Sequence, residues 1–329
     1  MSPASANPAP HNSGRIARFA WFVVFYNVLV IVWGALVRAS GSGAGCGNRW
    51  PLCNGQFIPV SPGFHTVIEF THRMMVGGST LLVLALLLWT LRATVKGQAA
   101  RALAVVSTLL LLNEAFLGAL LVKLNYVTGN QSTGRIVLLS IHLGNTLLLM
   151  AALTLTARFL STGQRWADLP LTRRLIGIVE GLVTTIFVGI TGSVAALGDT
   201  LFPAPSLHAS FAQDFAAGSP MLLRLRLVHP ALALIAALFA LWLVTQSRRA
   251  VPDCSPEQHT SRERLANLLL ILLALQFVLG IADVLLLAPA WLQLLHLLGA
   301  DLFWISLVQL AAETLSPAAA IPMPSTQSA

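Results

Sequence analysis

The chain has 329 residues, of which 56% are hydrophobic and only 10% charged, and its mean hydropathy is +0.77. Soluble domains carry about 25% charged residues, so a water-exposed globular surface is excluded and an all-α polytopic membrane protein is expected. The net charge of +8 does not point to nucleic acid, because the twenty Lys and Arg are scattered between apolar runs instead of clustering on one face.

In chain order, residues 1–14 are rich in Pro, Ala, Ser and Asn, lack the charged start of a signal peptide, and read as a disordered tail. Apolar stretches of roughly 20 residues, the length that crosses a bilayer core, then lie near 18–38, 67–91, 102–122, 136–157, 173–196, 221–246, 266–287 and 291–312. Eight transmembrane helices are therefore expected. The fifth is the weakest, thinned by Gly181, Gly189 and Gly192, and only Ala288-Pro289-Ala290 separates the last two. Residues 316–329 read as a second disordered tail.

With the N-terminus inside, inner segments hold thirteen Lys and Arg and outer segments six, with Arg73 inside the second span. The positive-inside rule then favours cytoplasmic termini and puts the glycine-rich loop 39–66 on the opposite side. Cys46 and Cys53 lie in that loop with six residues between them, where oxidation is permitted, and suit either a structural disulfide or a redox-active pair. Cys254, in an inner loop, reads as a free thiol.

The two halves, 15–160 and 161–315, resemble each other in order. Gly34 is set opposite Gly189, His72 opposite His229, Phe116-Leu117-Gly118 opposite Val278-Leu279-Gly280, and His142 opposite His296. Four spans per repeat is an even number, so two four-helix bundles would run in the same direction as a parallel repeat. His72, His142, His229 and His296 fall at similar depth in the even-numbered spans. Intramembrane ionisable groups are costly and usually functional, and paired imidazoles among Leu and Val suit the two axial positions of a haem iron. His72 with His142 would form one site and His229 with His296 the other. No nearby set of thiolates or carboxylates would complete a tetrahedral metal site instead.

The halves differ in two places: the stretch 195–203 that corresponds to the Cys46–Cys53 loop has no cysteine, and the residue three before the first histidine changes. Glu69 stands three residues before His72 on the same helix face, whereas Arg226 precedes His229. Glu69 suits a general base or a stabiliser of developing positive charge, or else a plain ion pair with Arg73. Arg73, Arg224 and Arg226 are candidates for haem propionates. His65 reads as an interfacial polar residue. His208 lies in an amphipathic stretch, 206–217, that would cover a haem edge or rest on the membrane surface. Asn113, Glu114, Asn145, Gln276, Asp283 and Asp301 read as interhelical bonding groups.

The Gly-Ser-Gly loop with Cys46, Trp50-Pro51-Leu52-Cys53, Glu69-Phe70-Thr71-His72-Arg73, the other three helix histidines and Leu197-Gly198-Asp199-Thr200-Leu201-Phe202-Pro203 resemble the haem A synthase family from about Arg15 to Leu315. The resemblance implies an oxidoreductase of the bacterial inner membrane that converts the C8 methyl of haem O to a formyl group, giving haem A for terminal oxidases. It implies that His72 and His142 hold haem O, that His229 and His296 hold a resident haem b, that Glu69 is catalytic, and that Cys46 and Cys53 form the periplasmic pair. Some family members have a second cysteine pair after span five, which this chain lacks. A haem O synthase as haem donor, cytochrome oxidase assembly factors and an unidentified electron acceptor are the implied partners, and a homo-oligomer is compatible with the sequence. The rival readings are a bis-histidine dihaem cytochrome for quinol and electron transfer, and a haem carrier or assembly chaperone.

Overall fold

The structure, a computed structural model, describes residues 13–162, 173–249 and 256–315, and the described residues form no named strand. The tails, except Ser13 and Gly14, and Cys254 lie outside the described residues. Ten helices are described: α1 (Ser13–Ala39), α2 (Phe64–Ala93), α3 (Ala99–Lys123), α4 (Thr133–Thr162), α5 (Arg173–Leu201), α6 (Leu207–Phe215), α7 (Met221–Arg226), α8 (Val228–Arg248), α9 (Pro256–Leu285) and α10 (Ala290–Leu315). Eight spans long and apolar enough to cross a membrane result, with α7 and α8 together making the sixth, Met221–Arg248.

A hydrocarbon core offers no partner for backbone polar groups, and a helix satisfies all of them within one segment. Polar side chains in the spans follow the same logic. Ser107, Thr108 and Thr156 donate to the carbonyls of Leu103, Ala104 and Ala152 one turn earlier. Leu81, Leu238 and Ile271 are 71%, 68% and 65% exposed, which is where lipid-facing apolar side chains belong.

Helix α5 is unbroken over 29 residues and runs through Asp199, past the expected end at 196. Its glycines do not thin it. A Cβ at Gly181 would strike the Phe239 ring, and one at Gly177 would sit 3.3 Å from Trp242, so both mark the close approach of α5 to α8. Helices α2 and α9 start before their apolar stretches because a helix can continue beyond the hydrocarbon, whereas hydropathy registers only its apolar part.

The chain divides into two compact units, one of Met1–Trp166 with Ala196–Pro203, the other of Ala167–Ala195 with Ala204–Ala329. In the first, α1 packs on α2 and α4, and α3 packs on the same two helices. In the second, α8, α9 and α10 pack pairwise, while α6 contacts α7 and α7 contacts α8. The α9–α10 turn closes with the Ala288 N–H donating to the Asp283 carbonyl at 2.7 Å, as Leu287 and Ala288 take positive φ.

Candidate functional site

In the first unit, α2 carries Glu69, His72 and Arg73 near its N-terminal end, beside the loop that holds Cys46 and Cys53. The Trp33 indole N–H donates to the Ile68 carbonyl at 3.0 Å and fixes the start of α2 against α1. His72 packs on Gly34 of α1, where a Cβ would lie 3.0 Å from the imidazole Cε1, and its Nδ1 is buried without a hydrogen-bond partner among the described residues. His142 of α4 faces Gly118 of α3, with a Cβ there at 3.8 Å from Cε1. His72 and His142 lie within electrostatic reach of each other, and Glu114 is also close to His72.

Cys46 and Cys53 form a disulfide, and the loop it closes is folded onto the start of α2. The Cys46 backbone N–H donates to Glu69 Oε2 at 2.8 Å. Arg73 Nε donates to Glu69 Oε1 at 3.1 Å, its Nη2 pairs with the same oxygen, and its Nη1 reaches the Leu52 carbonyl at 3.0 Å. Thr66 donates to the Gly45 carbonyl at 2.8 Å, and the Ser42 hydroxyl lies 3.0 Å from His65 Nδ1. Glu69 is therefore a buried carboxylate clamped between a guanidinium and a loop amide, and only 3% exposed. The ion pair with Arg73 that the spacing suggested is present.

In the second unit, a Cβ at Gly192 of α5 would lie 2.9 Å from His229 Cε1, and one at Gly280 of α9 would lie 3.4 Å from His296 Cε1. The glycine against His229 is thus Gly192, one turn beyond the Gly189 of the sequence alignment between the halves. The His229 Nδ1 is 3.1 Å from the Val188 carbonyl. The two imidazole centres are 6.3 Å apart with their planes at 87°. Arg226 pairs with Asp214 of α6, Nε to Oδ1 at 3.0 Å, and Arg224 Nη2 donates to the Ala217 carbonyl at 3.0 Å. Ser206 caps α6, its hydroxyl accepting from the Ala209 N–H at 3.2 Å, so the amphipathic stretch holding His208 is helical.

Residues 17–308 match the model of the cytochrome oxidase assembly protein family. The chain belongs to that family. It is 43% identical over 309 residues to a protoheme IX farnesyltransferase of Thermus thermophilus, a match covering 92% of this chain and 48% of that protein. It is 34% identical over 188 residues to a haem A synthase of an Exiguobacterium species, covering 56% of this chain and 60% of the relative. It is 36% identical over 137 residues to a haem A synthase of Geobacillus kaustophilus, covering 42% and 41%. The chain spans about half the length of the Thermus relative.

Among the described residues no group of three or more His, Cys, Asp and Glu comes together as a metal cluster. The sequence reading missed two features. One is the glycine behind each imidazole, for which the signal was a glycine in the preceding span of both repeats. The other is the approach of Glu114 Oε1 to His142 Nδ1 at 3.2 Å; the interhelical bonding expected of Asn113, Glu114 and Asn145 is present, Asn145 Nδ2 donating to Glu114 Oε2 at 2.6 Å and Asn113 Nδ2 to Asn145 Oδ1 at 2.8 Å.

Proposed function

We propose that the chain is a haem A synthase, oxidising the C8 methyl of haem O to a formyl group at the first unit, with haem b resident in the second. The observation that carries this reading is the clamped Glu69 beside His72, for which the second unit has only Arg226 tied to Asp214. Relatives bearing the haem A synthase name support it.

His72 and His142 would hold haem O, and His229 and His296 haem b. The residues fit that group on two grounds. Each imidazole has a glycine behind it, and at Gly34 and Gly192 a side chain would crowd the His72 and His229 rings. The His229 and His296 imidazole centres come within 6.3 Å of each other, two neighbouring nitrogen donors of the kind that would hold a haem iron. When bound, haem b supplies one-electron redox chemistry. Converting the methyl to a formyl group with its oxygen taken from water (R–CH3 + H2O → R–CHO + 4 H+ + 4 e−) releases two electron pairs, which pass to an external electron acceptor. Glu69 then serves as proton acceptor or as the anion facing positive charge that develops at the methyl carbon. Arg73 and the Cys46 N–H hold its two oxygens in place. Arg224 is the more exposed propionate candidate, while Arg73 and Arg226 would have to share donors already engaged with Glu69 and Asp214.

The Thermus relative's name describes farnesylation of protohaem IX, and this chain matches 48% of that longer protein. A haem O synthase is accordingly the proposed donor, and the disulfide loop is proposed to face the periplasm. The test is incubation of purified protein with haem O followed by chromatography of extracted haem. Wild type should yield haem A, and Glu69→Ala should keep its haem but yield none. Haem A at the wild-type rate from that variant would sink the role assigned to Glu69. Two equivalents of haem b without haem A would identify an electron-transfer cytochrome, and weakly held exchangeable haem a carrier.

A further inference from the structure

Four imidazoles line the two sites, and one of them has a carboxylate at its back. Glu114 of α3 lies one turn before Gly118, the glycine that faces His142. Its Oε1 is 3.2 Å from His142 Nδ1 and also receives the Thr146 hydroxyl, while Oε2 receives Asn145 Nδ2 at 2.6 Å. Asn145 is itself held, its Nδ2 donating to the Leu110 carbonyl at 2.9 Å and its Oδ1 accepting from Asn113 at 2.8 Å. Helix α4 thus supplies two donors that aim the carboxylate, and α3 holds one of those donors in place. The contact with His142 is close but not collinear, and Nδ1 makes no aligned hydrogen bond while sealed from solvent.

The other three imidazoles are placed differently. His229 Nδ1 lies beside the neutral Val188 carbonyl, and His72 Nδ1 has no hydrogen-bond partner among the described residues. In the second unit the position related to Glu114 by the Gly118–Gly280 correspondence holds Gln276. Its amide, with oxygen and nitrogen exchanged, donates to the His296 main-chain carbonyl at 3.2 Å and accepts from the Ala300 N–H at 3.1 Å, not from an imidazole.

We infer that Glu114 is a positioning residue for His142, accepting its Nδ1–H so that Nε2 is presented to the iron of the haem bound in the first unit. The inference rests on the reading of His142 as an axial ligand. A carboxylate behind a metal-bound imidazole fixes the tautomer, orients the ring and makes the far nitrogen a stronger donor, and removing such a partner costs roughly 10–100-fold in metal affinity or activity. A stronger axial donor favours ferric over ferrous iron. Glu114 therefore sets the first-unit haem apart from the second-unit haem, whose histidines lack a carboxylate partner among the contacts above.

The test is a potentiometric titration of the purified, haem-loaded protein, following each haem by its optical spectrum. Glu114→Gln keeps the shape and the Asn145 contact region but removes the anion. It should move the first-unit haem about tenfold toward the ferrous form, a rise of ~59 mV for a one-electron couple, and leave the second-unit haem unchanged. Thr146→Val, close to the same shape, removes the hydroxyl that competes for Oε1 and should move the same potential downward. Opposite shifts are not expected of two merely structural substitutions. If Glu114→Gln fails to accumulate, Thr146→Val alone decides, and a first-unit potential unmoved in the variants that do accumulate overturns the inference. His142→Ala separates the two layers of argument: if it keeps the bis-imidazole spectrum of the first-unit haem, His142 is not the ligand, and the underlying reading fails instead.

Discussion

At the residue scale, the glycines behind the imidazoles grade a prediction. A methyl at Gly192 would lie 2.9 Å from the His229 ring, whereas one at Gly118 would lie 3.8 Å from His142, an ordinary contact. Side-chain overlap of the first kind forces the ring off its rotamer, at about 0.5–1.5 kcal/mol for a ~30° displacement, and moves the nitrogen that the proposed haem ligation would need held within tenths of an ångström. Gly192→Ala should therefore lose most of the second-unit haem, while Gly118→Ala keeps the first-unit haem, as read from haem-to-protein ratios after purification. Equal loadings in both variants would show that the glycines serve helix packing alone. The histidines and Glu69 stood out in the sequence because charged residues are so few. Glu114 was visible too, but only as one of several intramembrane polar groups. Its place behind His142 depends on the register of α3 against α4, which no spacing within one helix encodes.

At the element scale, eight apolar stretches translated into eight helical spans because length and composition alone decide whether a segment can satisfy its backbone in hydrocarbon. What the pattern hid was the end of each helix. Helix α5 runs five residues past its apolar stretch, and two of the glycines read as weakness, Gly181 and Gly192, are the seats of Phe239 and His229. The loop before α2 was legible as a cysteine pair but not as a clamp. Its Cys46 N–H and Leu52 carbonyl hold Glu69 and Arg73, contacts between backbone and side chain that leave no trace in composition. The disulfide closes an eight-residue loop, 46–53. The chain-entropy model assigns such a closure about 2.5 kcal/mol. Replacing both cysteines by serine should lower the thermal midpoint, and reducing the wild type should lower it by the same amount. An unchanged midpoint in the double variant would mean that the loop holds its shape on Glu69 without the cross-link.

At the scale of the whole molecule, the excess of basic residues is an argument about direction. The start of α1 carries Arg15 and Arg18, and the end of α2, the α2–α3 loop and the start of α3 carry Arg92, Lys96 and Arg101, whereas only Lys123 and Arg135 flank the α3–α4 loop, with no Lys or Arg between them. Cationic residues near span ends are retained on the cytoplasmic side, so the α3–α4 loop and the disulfide loop should share the opposite side. Gln131 and Lys96 are both exposed and lie in loops at opposite ends of the first unit. In a background with Cys254→Ser, leaving Cys46 and Cys53 paired, Gln131→Cys should react with a membrane-impermeant maleimide in intact spheroplasts. Lys96→Cys should react only after permeabilisation. The reverse pattern would invert the molecule, put the disulfide in the reducing cytoplasm where such bonds rarely persist, and remove the compartment on which the Cys46–Cys53 clamp over Glu69 depends.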